Sequence, residues 1–322
     1  MSAQAHALAK PYDDDPATAT FAADVLSGLG ATPKRLPPKY FYDATGSALF
    51  EEITRLPEYY PTRTELGILR ERGAEIAALI PDGAALVEFG AGATTKARLL
   101  LASGTFGAYV PVDISGQFLN AQARQLRADL PGLPVHPVTA DFTTSFVLPK
   151  PVQAMPKAGF FPGSTIGNFE PHEAVRFLRS VRTILGAEAW LIVGVDLEKD
   201  EHILAAAYND AAGITARFDL NLLARINHEL AGTFDLAAFR HRAIYNRERH
   251  RIEMHLVSCK TQTARVVGRS IAFREGETIH TENSYKYSHE RFAALAREAG
   301  WTPHASWTDR DVTFSVHALR AP

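Results

Sequence analysis

The 322-residue sequence has few of the features that mark exported, membrane-bound or nucleic-acid-binding chains. It contains one cysteine, Cys259, so no internal disulfide can form, and we expect an inert buried thiol there. No apolar run reaches the roughly 18 residues that a membrane span requires. Lysine and arginine (34) nearly balance aspartate and glutamate (36), which argues against a nucleic-acid surface. The stretch from Met1 to Thr18 lacks the basic and apolar regions of a signal peptide. These absences predict a cytoplasmic protein.

The sequence also lacks the motifs of several common cofactor sites. Its 12 histidines include no H-x-x-x-H or H-E-x-x-H pair, so we predict no metal site. A phosphate-binding G-x-x-x-x-G-K-[ST] loop is absent, which disfavours ATP. Gly90 and Gly92 begin a G-x-G-x-x-G pattern, but Thr95 stands where its third glycine belongs, and this disfavours NAD.

What the sequence does contain is an alternation of short apolar runs with helical patterns. The predicted strands are 84–89, 109–113, 134–139, 158–161 and 190–195. The helical patterns between them include 94–102, a helix that Ser115 can cap, and 170–185. This order is typical of an α/β fold with a parallel, doubly wound, Rossmann-like sheet. At the C-terminus a helix over 288–299, closed by Gly300, precedes two antiparallel strands over 302–308 and 312–319.

Two further regions do not follow the alternation. The first 63 residues contain a helical pattern over 47–54, and a second helical pattern, over 62–80, begins at their end. The stretch 200–286 contains helical patterns over 202–210 and 220–230, then strand-like segments near 250–261 and 264–274. We predict that 1–63 and 200–286 form a second, α+β, substrate-binding domain, while 64–199 and 287–322 form the cofactor-binding domain.

Acidic residues stand at or beside the carboxyl ends of successive predicted strands: Glu88, Asp113 and Asp141. Ligands of open parallel sheets bind at that edge, and the glycines after Glu88 allow close backbone approach. Asp113 lies about 20 residues beyond the glycines, where a carboxylate can accept both ribose hydroxyls. Asp141 and Phe142 offer an acceptor and a ring for adenine. An adenosine ligand without a pyrophosphate, S-adenosylmethionine, fits best. A turn without a ligand, a nicotinamide oxidoreductase and a non-catalytic adenosine-binding module remain alternatives.

Longer strings occur in order along both predicted domains. They are Phe41-Tyr42-Asp43, the run from Ile53 to Arg63 (ITRLPEYYPTR), Gly163-Ser164-Thr165-Ile166-Gly167-Asn168, Tyr208-Asn209-Asp210-Ala211-Ala212-Gly213, Arg251-Ile252-Glu253-Met254 and Thr281-Glu282-Asn283-Ser284. From about residue 20 to its end the chain resembles the histidine Nα-methyltransferases of ergothioneine biosynthesis. This resemblance implies a class I methyltransferase fold, S-adenosylmethionine as cofactor, and a monomer that acts on a small molecule, L-histidine, with neither nucleic acid nor membrane as partner.

The resemblance also implies roles for individual residues. The implied cofactor contacts are Tyr42, Gly90, Lys96, Asp113, Asp141 and Phe142. The implied substrate contacts are Tyr59, Asn168, Tyr208, Glu282 and Ser284, with Phe50, Gly163, Thr165 and Met254 lining the pocket. Asn168 and Tyr208 would hold the substrate carboxylate, and Glu282 and Ser284 the imidazole. Asn283 and Tyr285 depart from the family pattern.

These roles are chemically coherent. An imidazole N–H can donate to Glu282, and the Ser284 hydroxyl can donate to, or accept from, the other ring nitrogen. Lys96 opposes the dipole of its helix, which indicates an anionic partner such as the cofactor carboxylate. No residue is assigned as a certain catalyst; Tyr42, Thr165 and Asn168 would position the amine. Three transfers would give Nα,Nα,Nα-trimethyl-L-histidine (hercynine). Methylation of another amino acid or a small amine is the alternative.

Overall fold

The computed structural model describes residues 16–322, so most of the polar N-terminal stretch without a signal-peptide pattern lies outside the described residues. The helices are α1 (Pro16–Gly30), α2 (Ala44–Ile53), α3 (Tyr60–Ala77), α4 (Thr95–Leu101), α5 (Gly116–Asp129), α6 (Pro171–Leu185), α7 (Glu201–Ala206), α8 (Ile214–Glu229) and α9 (His289–Glu298). The strands are β1 (Lys34–Arg35), β2 (Ala84–Phe89), β3 (Phe106–Asp113), β4 (Val138–Thr139), β5 (Lys157–Phe161), β6 (Trp190–Asp196), β7 (Phe239–Asn246), β8 (Arg251–Ser258), β9 (Gln262–Val266), β10 (Arg269–Phe273), β11 (Thr278–Tyr285), β12 (Thr302–Thr308) and β13 (Phe314–Arg320).

A seven-stranded sheet carries the predicted cofactor site. Its strand order is β12-β13-β6-β5-β2-β3-β4. The strands from β2 to β6 pair in parallel, while β13 runs antiparallel to β6 and β12 antiparallel to β13. The chain winds outward from β2 first towards β4 and then, through β5, towards β6. The point between β2 and β5 is therefore the topological switch point, where such sheets bind ligands. The predicted α/β fold with a C-terminal antiparallel hairpin is confirmed.

Helices cover both faces of this sheet, which explains its apolar strands. Every residue of β2 and of β6 is buried. Apolar side chains of α3, α4 and α5 form a core on one face, and those of α6 and α9 form a core on the other. Strands buried on both faces read as continuous apolar runs, and for this reason β2 and β6 were predictable.

The chain forms two compact units. The larger contains the seven-stranded sheet and comprises Thr54–Ala207, Tyr245–Ile252 and Asn283–Pro322. The smaller comprises residues 16–53, Tyr208–Ile244 and Glu253–Glu282. Within the smaller unit α2 packs against α8, β1 pairs in parallel with β11, and β9 and β10 form a hairpin. The assignment of cofactor and substrate roles to two domains with the predicted bounds stays a prediction.

Some local predictions need correction. The strand-like segment 264–274 turns at Val267 and Gly268, so it lies across a hairpin of two strands. Ser115 occupies the N-cap of α5, but its side chain makes no capping hydrogen bond. Cys259 is exposed, not buried, because it follows the end of β8. Within residues 16–322 no helix combines the length and the apolar character needed to span a membrane.

Candidate active site

The glycine loop after β2 takes a shape that favours glycine. Gly90 has φ +72° and Gly92 has φ +44°, both in the left-handed region. A Cβ atom on Gly90 would lie 3.3 Å from Cε1 of Phe142, so the missing side chain lets the loop approach that ring closely. The N–H groups of Gly90 and Ala91 both donate to the carbonyl of Val112, at 2.9 and 3.1 Å. The loop is thereby fixed against the end of β3.

The carboxylate of Asp113 is held at the end of β3. Its Oδ1 accepts from the N–H of Ser115 at 2.8 Å, and its Oδ2 accepts from the N–H of Gly92 at 3.3 Å. Asp141 follows β4, and its Oδ1 accepts from the N–H of Thr143 at 2.9 Å. Both aspartates are half-buried, so their remaining lone pairs can receive hydroxyl or amino donors. These acceptor oxygens and the cradle at Gly90 fit an adenosine group.

Glu88 corrects the expectation that all the acidic positions face a ligand. Its side chain is 1% exposed and accepts a hydrogen bond from the hydroxyl of Tyr109. Burial raises the pKa of Glu88 to about 8, although the Tyr109 hydrogen bond opposes the rise. Residues 84, 86 and 88 share one face of β2 because strand side chains alternate, and that face packs into the core with Ala84 and Leu86.

Lys96 does have an anionic partner, and that partner belongs to the protein. Its Nζ lies 2.6 Å from Oε2 of Glu65, a side chain of α3 with no exposed surface. Glu65 also accepts from the N–H of Gly163, at 2.9 and 3.1 Å to its two oxygens. Lys96 follows β2 and Gly163 follows β5, so this carboxylate ties together the loops on either side of the switch point. The predicted contact of Lys96 with the cofactor stays a prediction.

The loop after β5 continues into a single helical turn that carries two predicted site residues. The turn spans Thr165–Asn168 and begins at Ser164, whose φ is +56°. The hydroxyl of Thr165 donates to the carbonyl of Pro162 at 2.9 Å, so its oxygen keeps lone pairs that can accept from an amine. The backbone N–H of Asp196 donates to Oγ of Ser164 at 2.9 Å. Asn168 ends the turn and is half-buried.

Several predicted residues belong to the smaller unit. The rings of Tyr42, Phe50 and Phe218 contact one another, with centroids 5.7 to 6.0 Å apart. Met254 is buried in β8. Tyr208 is also buried, and its carbonyl lies 2.8 Å from Nε2 of His241.

His241 is held by an aspartate. Burial lowers its pKa, but the hydrogen bond to Asp219 (Oδ2 lies 2.6 Å from Nδ1), the charge of Asp219 and the Tyr208 carbonyl together outweigh burial, so the pKa is raised. Asp219 also accepts from the hydroxyl of Thr281 in β11 at 2.7 Å. A protonated His241 donates from both ring nitrogens and so fixes the backbone at Tyr208.

Glu282 and Ser284 lie two residues apart in β11 and therefore share one face of the strand. The departures Asn283 and Tyr285 lie on the other face. There the hydroxyl of Tyr285 donates to Oε2 of Glu170 at 2.6 Å, and Asn283 donates to Oε1 at 3.2 Å. These two residues bind Glu170, the N-cap of α6, and do not share the face of the predicted imidazole contacts.

Ser284 is buried and accepts a hydrogen bond from Nζ of Lys286 at 2.8 Å. Lys286 is fully buried, and its Nζ lies 2.7 Å from Oδ2 of Asp196. Asp196 also accepts from the hydroxyl of Tyr60 at 2.8 Å and from Nζ of Lys199 at 2.6 Å. Burial raises the pKa of Asp196, but Lys286 and Lys199 outweigh burial and hold the pKa below its usual range.

Sequence reasoning missed the charged residues that support the site: Glu65, Asp196 and Lys286. A signal exists for Glu65, since it falls on the buried stripe of α3 that includes Ile68, Leu69 and Ile76. A carboxylate within an apolar stripe must find a partner. Nothing in the local sequence distinguishes Lys286 from a surface lysine.

Comparison with known proteins agrees with the geometry. Residues 21–321 match the family model described as histidine-specific methyltransferase, SAM-dependent. The histidine N-alpha-methyltransferase of Mycolicibacterium smegmatis is 42% identical over 315 residues, which cover 96% of this chain and 97% of that protein. The enzyme of the same name from Mycobacterium tuberculosis is 40% identical, covering 91% of this chain and 92% of its own. Ergothioneine biosynthesis protein 1 of Neurospora crassa is 30% identical over 89% of this chain, which spans 33% of that longer protein.

Proposed function

The chain belongs to the family of histidine-specific, S-adenosylmethionine-dependent methyltransferases, and from this premise we propose that it methylates the α-amino group of L-histidine three times, giving hercynine. The observation that carries the choice of histidine is the pair Glu282 and Ser284 on one face of β11. A carboxylate and a hydroxyl at that spacing suit the two nitrogens of an imidazole. A phenyl ring offers the carboxylate no hydrogen-bond donor, and an indole offers the hydroxyl no acceptor nitrogen; losing such a bond costs on the order of 1–3 kcal/mol.

The cofactor, when bound, supplies a methyl group already activated on a sulfonium. The residues proposed to hold it are Tyr42, Gly90, Lys96, Asp113, Asp141 and Phe142. The fixed carboxylate of Asp113 would accept the ribose hydroxyls, and Asp141 and Phe142 would receive the adenine. The support for these roles is the pair of carboxylate acceptors at the carboxyl edge of the sheet, where Asp113 is already oriented by Gly92 and Ser115.

The protein's task in the transfer is to present a neutral amine in a fixed direction. Asn168 and Tyr208 would bind the substrate carboxylate, with Tyr59 beside them and Phe50, Gly163 and Met254 lining the pocket. The sulfonium cation beside the bound amine would lower the amine's pKa, so a strong base is not required near neutral pH. The amine proton would leave to water or through the hydroxyl oxygen of Thr165 or Tyr42. Orienting the lone pair at about 3–3.5 Å from the methyl carbon supplies much of the acceleration.

The direct test is to incubate the protein with S-adenosylmethionine and a panel of amino acids and small amines while following product mass. We expect histidine to gain three methyl groups and the other compounds to gain far fewer. Asp113→Asn, which weakens the proposed ribose contact, serves as the control for contaminating activity and should lose turnover of every compound. Unmodified histidine beside a methylated alternative would contradict the proposal and favour an N-methyltransferase with another substrate. We further propose that the protein works in the cytoplasm as a monomer.

A further inference from the structure

A buried cluster of charged side chains lies at the end of β6 and contains more positive than negative charge. Asp196 has no exposed surface, and both Lys286 and Lys199 pair with it, at 2.7 and 2.6 Å. Buried charges persist only when they are paired or hydrogen-bonded. One carboxylate neutralises the charge of only one ammonium group, so the second ammonium group must be stabilised by hydrogen bonds to neutral polar groups.

The two lysines use different polar groups for this purpose. Nζ of Lys199 donates to the carbonyl of Leu197 and to the hydroxyl oxygen of Tyr60. Nζ of Lys286 donates to Oγ of Ser284 at 2.8 Å. Lys286 is thus the member of the cluster that reaches a residue of the proposed substrate site.

This contact determines how the Ser284 hydroxyl is used. An ammonium group can only donate, so Oγ of Ser284 must accept from Lys286, and its own proton is directed away from that lysine. A hydroxyl that accepts a charge-assisted hydrogen bond is also a stronger donor, because hydrogen bonds in a chain polarise one another. Sequence reasoning left open whether Ser284 donates or accepts, and this geometry favours donation.

We propose that Lys286, held by Asp196, is a positioning residue that fixes Ser284 as the hydrogen-bond donor to the unprotonated nitrogen of a neutral imidazole ring. The inference rests on the proposed function, in which Ser284 contacts the substrate ring. The other ring nitrogen then carries the N–H that Glu282 accepts, so the pair specifies one tautomer. Rings without an acceptor nitrogen, such as phenyl, cannot receive this hydrogen bond, which adds to the selection for histidine.

Asp196 connects the Lys286–Ser284 hydrogen bond to the loop proposed to bind the substrate carboxylate. Its backbone N–H donates to Oγ of Ser164, four residues before Asn168, while its side chain holds Lys286. Asp196 therefore fixes both the loop that carries Asn168 and the ammonium group of Lys286, which donates to Ser284. The ring and the carboxylate of the substrate would be held at a set separation.

A double-mutant cycle with histidine as substrate tests the inference. The variants are Ser284→Ala, Lys286→Met and the double variant, compared by the KM for histidine at saturating S-adenosylmethionine. Methionine keeps the length of the side chain, and Asp196 stays paired with Lys199 after the change. We expect each single variant to raise KM roughly tenfold, and the double variant to match Ser284→Ala, because Lys286 acts through that hydroxyl.

Lys199→Met is the matched control, since it removes an ammonium from the same carboxylate but no bond to Ser284. Its effect on KM should be clearly smaller than that of Lys286→Met and should add to the effect of Ser284→Ala. Lys286→Gln keeps an N–H donor and should restore KM to within about threefold of the wild type. If Lys286→Met does not fold, as judged by cofactor affinity, Lys286→Gln replaces it in the double-mutant cycle. Its smaller effect on KM must then be absent when Ser284→Ala is also present.

The outcomes separate the inference from the proposed function. Additive effects of Lys286→Met and Ser284→Ala, or equal losses in the two lysine variants, would overturn the inference while leaving histidine as the substrate. A histidine KM unchanged by Ser284→Ala would instead overturn the assignment of Ser284 to the imidazole, and the inference with it.

Discussion

Glu88 is a carboxyl group whose protonation depends on the folded structure. Burial raises its pKa to about 8, with the Tyr109 hydrogen bond acting in the opposite direction. An unfolded glutamate has a pKa of about 4.3. Near neutral pH the folded protein therefore holds a proton on Glu88 that the unfolded chain releases.

This difference sets the sign of a pH effect on stability. Between about pH 4.3 and pH 8 the folded state binds more protons at Glu88, so the free energy of unfolding falls as the pH rises through that window. Glu88→Gln keeps a neutral side chain at every pH. We expect its stability to rise relative to the wild type on going from about pH 5 to about pH 8, by on the order of 1 kcal/mol per pH unit. Urea unfolding of both proteins across this range measures the difference, and a gap independent of pH would contradict the assignment.

Individual residues show which features can be predicted from sequence and which cannot. Asp113 was placed correctly at the strand's end because strand ends follow from apolar runs. Glu88 lies only two residues before Gly90, yet the alternation of β2 turns its side chain into the core. Asp196 and Lys286 were not predicted because they are 90 positions apart, and only tertiary packing makes them partners.

At the scale of elements, the close approach of α3 to β6 requires a glycine. A Cβ atom on Gly194 in β6 would lie 2.0 Å from Oε1 of Glu65 and 3.2 Å from the backbone nitrogen of Gly163. Both groups belong to the network that also includes Lys96. The glycine in β6 therefore leaves the space in which α3 delivers its carboxylate to the loops at the switch point.

Gly194→Ala should disturb that network. The added methyl group displaces the Glu65 carboxylate, so Lys96 loses its partner and the N–H of Gly163 loses its acceptor. We expect a loss of about 1–3 kcal/mol in the free energy of unfolding, together with weaker S-adenosylmethionine binding. Urea unfolding and calorimetric titration measure the two effects.

Gly67→Ala provides the matched control within α3. A Cβ atom there meets nothing within 4 Å, and alanine stabilises a helix interior by about 0.5–1 kcal/mol relative to glycine. This variant should be at least as stable as the wild type and should bind the cofactor equally well. Unchanged cofactor affinity in Gly194→Ala would show that the Glu65 network does not shape the cofactor site.

Sequence reasoning missed the strand β11 for a physical reason. The strand β11 contains Thr281, Glu282, Asn283 and Ser284 in succession, so neither an apolar run nor a regular alternation marks it. Its burial pattern alternates poorly because Thr281 and Ser284 are buried through hydrogen bonds to Asp219 and Lys286. Polar residues that belong to a site thus remove the apolar pattern by which a strand is predicted from sequence.

At the scale of the whole molecule, each unit contains residues proposed to bind cofactor or substrate. The sheet-containing unit holds Gly90, Lys96, Asp113, Asp141 and Phe142 from the cofactor set and Tyr59, Asn168 and Ser284 from the substrate set. The smaller unit contains Tyr42, Tyr208 and Glu282. Strand order predicts the part of the cofactor set at the sheet edge. No spacing rule relates residues 59, 168, 208 and 282, so the substrate set depended on the resemblance to a family.

Glu282→Ala tests whether the two sets act separately. If Glu282 accepts the imidazole N–H, its loss should raise the KM for histidine by roughly 5- to 100-fold, as expected for a hydrogen bond to a charged group. Cofactor affinity should stay unchanged, because none of the predicted adenosine contacts is altered. Glu282→Gln keeps an acceptor oxygen without the charge, and its KM should fall between those of the wild type and Glu282→Ala. Steady-state kinetics and calorimetry of the same preparations give both quantities. Weakened S-adenosylmethionine binding in Glu282→Ala, with little change in the KM for histidine, would move Glu282 from the substrate set to the cofactor set. A residue that contacts only the imidazole cannot weaken the binding of the methyl donor alone.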